Sequence, residues 1–295
     1  MDELLLFLIW NCASGMVFFI GVIFIIISVL FSMVLKPRSR DLTIYPLSLL
    51  GVAGVILSAT PLALWLYLIW GISIILWLIG CTWRPFNQIK LHQLQITVIF
   101  ICCLAVVMEV PYHLRPKIAK GNYDALYIIG DSVSAGLGGK RIRTWPEILG
   151  QEHNLKIKNL SQAGATIDRG ASQAKQVENG SALVIIEIGG NDILALQPTS
   201  PSDFENSLRK ILELVKSPVH NIIIFELPLM PFQNEYGRIQ RKLAREYGAT
   251  LIPKHYFVRI LSTENATTDL VHLSQKGHEM MYQMIWSIID SAFAG

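Results

Sequence analysis

The sequence predicts an α/β domain built on a three-layer parallel sheet, preceded by an all-α transmembrane region. Three observations predict it. The chain of 295 residues is 52% apolar and only 16% charged, with a mean hydropathy of +0.43, whereas an ordinary soluble protein is about 45–50% apolar and about 25% charged. The charges are unevenly divided, since only 5 of the 25 Lys and Arg and 4 of the 22 Asp and Glu fall in the first 114 residues. From residue 123 onward, short apolar runs alternate with helix-like segments, the pattern of a parallel sheet covered on both faces. The expected organisation is a transmembrane region over 1–114, a linker over 115–122 and an α/β domain over 123–295.

The membrane region follows from uncharged runs. Leu4 to Leu35 is 32 residues without a charge, which as one helix would extend ~48 Å, beyond the ~30 Å of a hydrocarbon core. Leu42 to Trp83 is too long for one span and suits two, with the break at Thr60-Pro61 because proline pushes its predecessor out of the helical region. A last run from Leu94 to Val110 carries Glu109 near its end. Four helices are expected, over 4–35, 42–59, 62–83 and 94–110. A cleaved signal peptide, with a basic start and an apolar stretch of roughly 7–15 residues, fits the first run poorly. Lys36, Arg38 and Arg40 in one short loop and Arg84 and Lys90 in another place both loops in the cytoplasm, and so the C-terminal domain outside; Arg115, Lys117 and Lys120 count against this. Glu109 is expected to reach the membrane interface, the alternative being a buried functional carboxylate.

In the second part, strands are expected at Ala125–Ile129, Leu155–Leu160, Leu183–Ile188, Asn221–Leu227 and Ala249–Ile252. Helices are expected at Trp145–Gln151, Ala171–Glu178, Asp203–Lys216, Tyr236–Tyr247 and Ser274–Phe293. Ser202 or Asp203 would cap the third, and Gly248 would stop the fourth.

Function should lie at the carboxyl ends of the strands, where open α/β sheets bind ligands. Four segments qualify: Gly130-Asp131-Ser132-Val133-Ser134-Ala135-Gly136, then Asn159 to Thr166 with Gly164, then Gly189-Gly190-Asn191-Asp192, and Asp269-Leu270-Val271-His272 before the final helix. Singly, each is an ordinary turn or helix cap. Jointly they supply every part that acyl transfer needs. Other chemistries are less well served. A net charge of +3 without a dense Lys/Arg cluster speaks against nucleic acid, and all four cysteines (Cys12, Cys81, Cys102, Cys103) lie in the apolar part. No metal-ligand spacing of the His-Glu-x-x-His kind occurs, so neither metal nor cofactor is expected. Gly136-Leu137-Gly138-Gly139-Lys140 fails the phosphate-loop spacing, with Arg141 after the lysine.

The stretch from about 123 to 293 resembles the SGNH (GDSL-type) hydrolases through Gly130-Asp131-Ser132, Trp145-Pro146, Asn159-x-Ser161-x-x-Gly164, Gly189-Gly190-Asn191-Asp192 and Asp269-x-x-His272. Within that superfamily it is most similar to the periplasmic thioesterase, lysophospholipase and arylesterase branch, although Ala165 stands where that branch often has Asp. The resemblance implies a flavodoxin-like three-layer fold and a serine esterase. A serine hydroxyl needs a base, and the base needs an orienting acid. Ser132, His272 and Asp269 fill these roles; His278, with Gln275 three residues before it, is the rival base. The resemblance assigns the oxyanion hole to the backbone N–H groups of Ser132 and Gly164 and the side-chain amide of Asn191. Asp131 and Asp192 read as structural, tying their turns by Asx-type bonds.

The apolar stretch Leu227–Phe232 follows the fourth strand, and Leu229, Met230 and Phe232 are its candidates for lining an acyl groove or meeting the bilayer; a loop packed into the core is the alternative. The short linker keeps the site near the outer face of a bacterial cytoplasmic membrane, on the periplasmic side, where a lipid-derived acyl ester is a natural substrate. The competing readings are an O-acetylesterase or acetyltransferase acting on envelope carbohydrate, and a non-catalytic binding protein with a degenerate site. Protein partners are not specified by the sequence.

Overall fold

The computed structural model describes residues 3–35, 37–82, 87–118, 120–137, 142–194 and 198–293; Lys36, Arg84 and residues 138–141, used in the sequence reading, lie outside them. Two compact units are present, Met1–His113 with Leu229–Asn234, and Leu114–Pro228 with Glu235–Gly295.

The first unit is helical. It contains α1 (Glu3–Ser14), α2 (Met16–Val34), α3 (Pro37–Leu57), α4 (Leu64–Thr82) and α5 (Gln88–Glu109), followed by a 3-10 turn at Val110–His113. The first uncharged run is therefore two helices, broken at Gly15, whose φ of 83° takes the chain through the left-handed region that glycine enters without penalty. Among the described residues, three helical stretches are long and apolar enough to cross a membrane: Met16–Val34, Leu64–Thr82 and Gln88–His113. Leu5–Ser14 and Leu42–Leu57 are shorter apolar helices. α3 ends where Ser58 turns its hydroxyl back to the Val55 carbonyl at 2.8 Å and Ala59 adopts a φ of 48°.

Large apolar side chains such as Phe7, Leu49, Leu68 and Phe100 point outward, while the interior holds polar groups that bond between helices. Gln95 Nε2 donates to Ser32 Oγ at 2.8 Å, Trp77 Nε1 donates to the same oxygen at 3.3 Å, and the Ser28 and Ser48 hydroxyls lie 2.8 Å apart. Such bonds and close backbone approach hold helices together where lipid removes the usual hydrophobic drive. The approach is closest between α2 and α3, where a Cβ added to Gly21 would stand 2.6 Å from the Gly51 carbonyl oxygen. Glu109 packs inside the helical unit. It is fully buried, with His113 Nε2 at 3.3 Å, because the histidine one turn later supplies a polar partner inside the bundle.

The second unit contains, in order, β1 (Ala125–Gly130), α6 (Ser132–Ala135), α7 (Trp145–His153), β2 (Ile157–Asn159), α8 (Ile167–Ala174), β3 (Ala182–Glu187), α9 (Gly190–Leu194), α10 (Pro201–Val215), β4 (His220–Phe225), α11 (Asn234–Tyr247), β5 (Thr250–Ile252), α12 (Lys254–Leu261) and α13 (Gln275–Phe293). The five strands are all parallel, in the order β2-β1-β3-β4-β5. β1 and β3 are buried at every position, which explains why their runs are apolar except at Glu187, the last residue of β3. The chain leaves β1 in one direction for β2 and crosses back to β3, so the carboxyl ends of β1 and β3 flank the point where the winding reverses and a crevice opens. The sequence reading lacks α6, α9 and α12. The first two are single turns too short to show a period, and α12 follows β5 after only Pro253.

Candidate active site

Ser132 sits at that crevice, as the first residue of α6 and directly beyond the end of β1. Its turn is held from several sides. Asp131 caps α6, its Oδ1 accepting the Val133 N–H at 3.0 Å. The Gln173 amide pairs with both backbone groups of Gly130, accepting from its N–H at 2.9 Å and donating to its carbonyl at 3.0 Å. Asn159 Nδ2 donates to the Ser134 carbonyl at 3.0 Å. Gly130 leaves no room for a side chain: an added Cβ would lie 2.8 Å from Ser161 Oγ and 2.9 Å from the Glu187 carbonyl, and the latter belongs to the paired strand and cannot yield. Ser132 is thus presented from a turn with almost no freedom, and it is only 6% exposed.

Gly164 has a φ of 72°, which glycine adopts without penalty, and open space where a Cβ would be. Asn191, in α9 at the end of β3, donates one amide hydrogen to the Ala165 carbonyl at 2.9 Å; its contact with Asp131 Oδ2, at 3.5 Å, is long. A primary amide has two N–H donors, and both of these acceptors lie on the one nitrogen. Asp192 ties the two segments together, accepting the Ile167 N–H at 2.7 Å and the Thr199 hydroxyl at 2.7 Å. Asp131 bonds within its own turn, as an Asx-type residue does, whereas Asp192 bonds to two other segments instead of tying its own turn.

Asp269 and His272 form a closed loop. Asp269 Oδ1 accepts the His272 backbone N–H at 2.9 Å, and Oδ2 meets ring Nδ1 at 2.6 Å. These two bonds, the backbone one foremost, hold the Asp269 carboxyl below the usual carboxylate range. Thr268 N–H donates to the His272 carbonyl at 2.8 Å, and Leu270 takes a φ of 77°, a left-handed conformation that side chains larger than hydrogen adopt at a cost of roughly 1–2 kcal/mol. His272 is among the charges that act on Asp131, the residue before Ser132. Burial pushes Asp131 up to about 6, against the opposing pull of the Val133 N–H and of His272.

His278 occupies a different position. It is buried within α13, and Nδ1 accepts the Trp145 N–H at 3.3 Å, securing the start of α7; burial pushes its ring down from the ordinary imidazole value. Of the loop after β4, Leu229 is fully buried, whereas Met230 is partly open and Phe232 is 79% exposed. Leu229–Asn234 belong to the helical unit, in which Asn234 Nδ2 donates to the Thr60 carbonyl at 2.8 Å. No group of His, Cys, Asp and Glu suited to a metal occurs among the described residues.

The family model for the GDSL-like lipase/acylhydrolase family matches residues 128–280, more than half of the chain and every segment just described. The chain belongs to this family. Thioesterase 1/protease 1/lysophospholipase L1 of Escherichia coli K12 is 30% identical over 139 residues, covering 44% of this chain and 66% of that protein. An arylesterase of Vibrio mimicus is 28% identical over 142 residues, 44% of this chain and 70% of its own. The first match spans just under two thirds of the relative's length. In fold, the chain is similar to the crystal structure of TesA (TM-score 0.50, 20% identity, covering 57% of this chain and 99% of that one) and to the psychrotrophic esterase EstA from Pseudoalteromonas (0.50, 17%, 57% and 97%). The range matched by the family model, 128–280, holds the second half of β1 and the whole of the other four strands of the sheet.

Two contributors carry no motif signal. Gln173 lies in an unremarkable helix, and nothing in the sequence marks it as the clasp of Gly130. Glu187 could have been noticed, as an acid inside the apolar run Leu183–Ile188. Such a residue is buried with the strand, and a buried acid needs a reason.

Proposed function

We propose that the protein is a membrane-tethered serine hydrolase that cleaves carboxylic acyl esters or thioesters, of lysophospholipase or esterase type. The observation that carries this reading is the double bond of Asp269 to His272, at backbone and ring, which leaves Nε2 as the free nitrogen of the imidazole. Ser132 Oγ attacks the acyl carbonyl and gives its proton to His272 Nε2, while Asp269 stabilises the imidazolium. The oxyanion is received by the N–H groups of Ser132 and Gly164 and by the side-chain amide of Asn191, whose long bond to Asp131 gives way to it. His272 then returns the proton to the departing alcohol or thiol, and water releases the acyl group by the same steps in reverse order.

The domain reading follows the same lines: helices over 1–114, a linker over 115–122, and the hydrolase over 123–295, with the hydrolase on the periplasmic side of a bacterial cytoplasmic membrane. Its supports are the three apolar helices and the names of the relatives. Phe232 and Met230, in a loop that groups with the helical unit, are the side chains we assign to a lipid-borne acyl chain; Leu229 supports them from within. The second reading is an O-acetylesterase or acetyltransferase on envelope carbohydrate. It is favoured by the bonded Ser32, Trp77 and Gln95 inside the helices, which simple tethering does not require.

Hydrolysis rates on p-nitrophenyl acetate, butyrate, octanoate and palmitate separate the two. Rising kcat/KM toward octanoate is expected, and activity confined to acetate would sink the lipid reading. Asn191→Ala is expected to lower kcat by ~10²–10³ with KM little changed, since the amide serves an oxygen charged only in the transition state. A variant turning over at the wild-type rate removes Asn191 from the oxyanion hole.

A further inference from the structure

Beneath the Ser132 turn lies a carboxyl that no step of acyl transfer uses. Glu187 ends β3 directly opposite Gly130 in the parallel register and is 3% exposed. Ser134 Oγ donates to its Oε2 at 2.7 Å, and the backbone N–H of Asp131 donates to the same carboxyl. Asp131 and Ser134 lie on either side of Ser132, so one buried group grips the nucleophile turn before and after the nucleophile. Gln173 and Asn159 hold the neighbouring backbone at Gly130 and at the Ser134 carbonyl, and Glu187 ties the turn to the strand that also leads to Asn191.

The charges around it decide its form. Glu187 faces Asp131 and Ser134, and Asp131 in turn faces Asp192 and His272. Burial, and after it the Asp131 carboxyl, pushes Glu187 well above the ordinary glutamate value. Burial and the neighbouring Asp131 carboxyl both favour the protonated form of Glu187, while Asp131 is itself pushed up to about 6. Loss of both protons would set two buried carboxylates against each other, and the turn would have to move or admit water.

We propose that Glu187 is a positioning residue which fastens the residues flanking Ser132 to the end of β3. This rests on the reading of Ser132 as the nucleophile. An acid whose folded-state value lies above its unfolded one stabilises the fold below the unfolded value and loses that contribution as pH rises through the folded one. The grip therefore fails on the alkaline side.

The test uses the full-length protein in detergent, with p-nitrophenyl butyrate hydrolysis and fluorophosphonate labelling rates followed from about pH 6 to about pH 10, corrected for spontaneous hydrolysis. In the wild type, kcat and labelling should fall together toward the alkaline end. Glu187→Gln, of the same shape and permanently neutral, should keep neutral-pH kcat within about threefold and lose the alkaline fall. Glu187→Leu should lower kcat about 10- to 100-fold at unchanged KM, the loss that a misplaced reacting group brings. Ser134→Ala, which removes one of the two donors, should fall between them. Superimposable pH profiles for wild type and Glu187→Gln would overturn the inference, as would a Gln variant as slow as the Leu variant. Should Glu187→Leu fail to fold, the Gln profile and Ser134→Ala decide. A wild type that neither hydrolyses nor labels sinks the hydrolase reading itself, whereas an active wild type with an unchanged Gln profile sinks only the role of Glu187.

Discussion

Alanine at Ser132 is expected to lower kcat by roughly 10⁴–10⁶ while leaving the fold intact. The size of the effect follows from the role: without the hydroxyl no acyl-enzyme forms, and only oxyanion stabilisation and binding remain to assist water. The preserved fold follows from the bonds that hold the turn. Asp131 caps α6 through its own carboxyl, Gln173 clasps Gly130, and Asn159 and Glu187 grip Ser134, all without using the Ser132 hydroxyl. Melting in detergent should therefore shift by no more than a few degrees; on this domain size ~1 kcal/mol corresponds to about 2–4 °C. A membrane-impermeant fluorophosphonate applied to intact cells should label the wild type and not Ser132→Ala, which tests nucleophile and sidedness in one measurement. A variant that keeps about a tenth of wild-type kcat, or still takes the label, would remove Ser132 from the reaction. Labelling of the wild type only after the cells are broken would instead reverse the orientation drawn from the basic loops.

What the sequence discloses depends on the range of the interaction. β1 and β3 are legible because strands covered on both faces must be apolar throughout, and the Gly130-Asp131-Ser132 and Gly189–Asp192 segments are legible because they begin where those runs end. The Asp269–His272 pair is legible too, since both partners lie within one short loop and the bonds between them are local. Gln173 is not. It meets Gly130 across 43 positions of chain, and glutamine in a helix has no periodicity that would announce it. The apolar helices show the same division. Their composition marks them at once, yet the break at Gly15 depends on one residue, and the burial of Glu109 depends on a histidine four positions away that hydropathy alone passes over. Residue types fix what can be buried; which buried polar groups meet is decided by the three-dimensional path of the chain.

The two histidines near the last helix provide the sharpest contrast between variants. His272→Ala is expected to cost kcat on the order of 10⁴–10⁶, as large a loss as removal of the nucleophile, because a base and its serine act as a unit and their losses do not add. Its neighbours lose little else. The ring is partly exposed, the loop remains closed by the Thr268 N–H bond to the 272 carbonyl, and Asp269 still accepts the backbone N–H of 272. His278→Ala should behave in the opposite way. That ring is 1% exposed and accepts the Trp145 N–H, so its removal leaves a cavity and an unbonded backbone donor at the start of α7; a loss of about 2–4 kcal/mol in stability is expected. Near neutral pH and well below its melting point, the folded fraction of His278→Ala should retain kcat within a few fold. The pH dependence of stability separates the two further. His278 is held below the ordinary imidazole value, so its contribution is full above the unfolded value of 6.5 and is lost as pH falls toward the folded one. Wild type should lose melting temperature more steeply than His278→Ala over that acid range. Should His278→Ala abolish turnover in a protein that still melts cooperatively, while His272→Ala keeps it, the base has been assigned to the wrong ring.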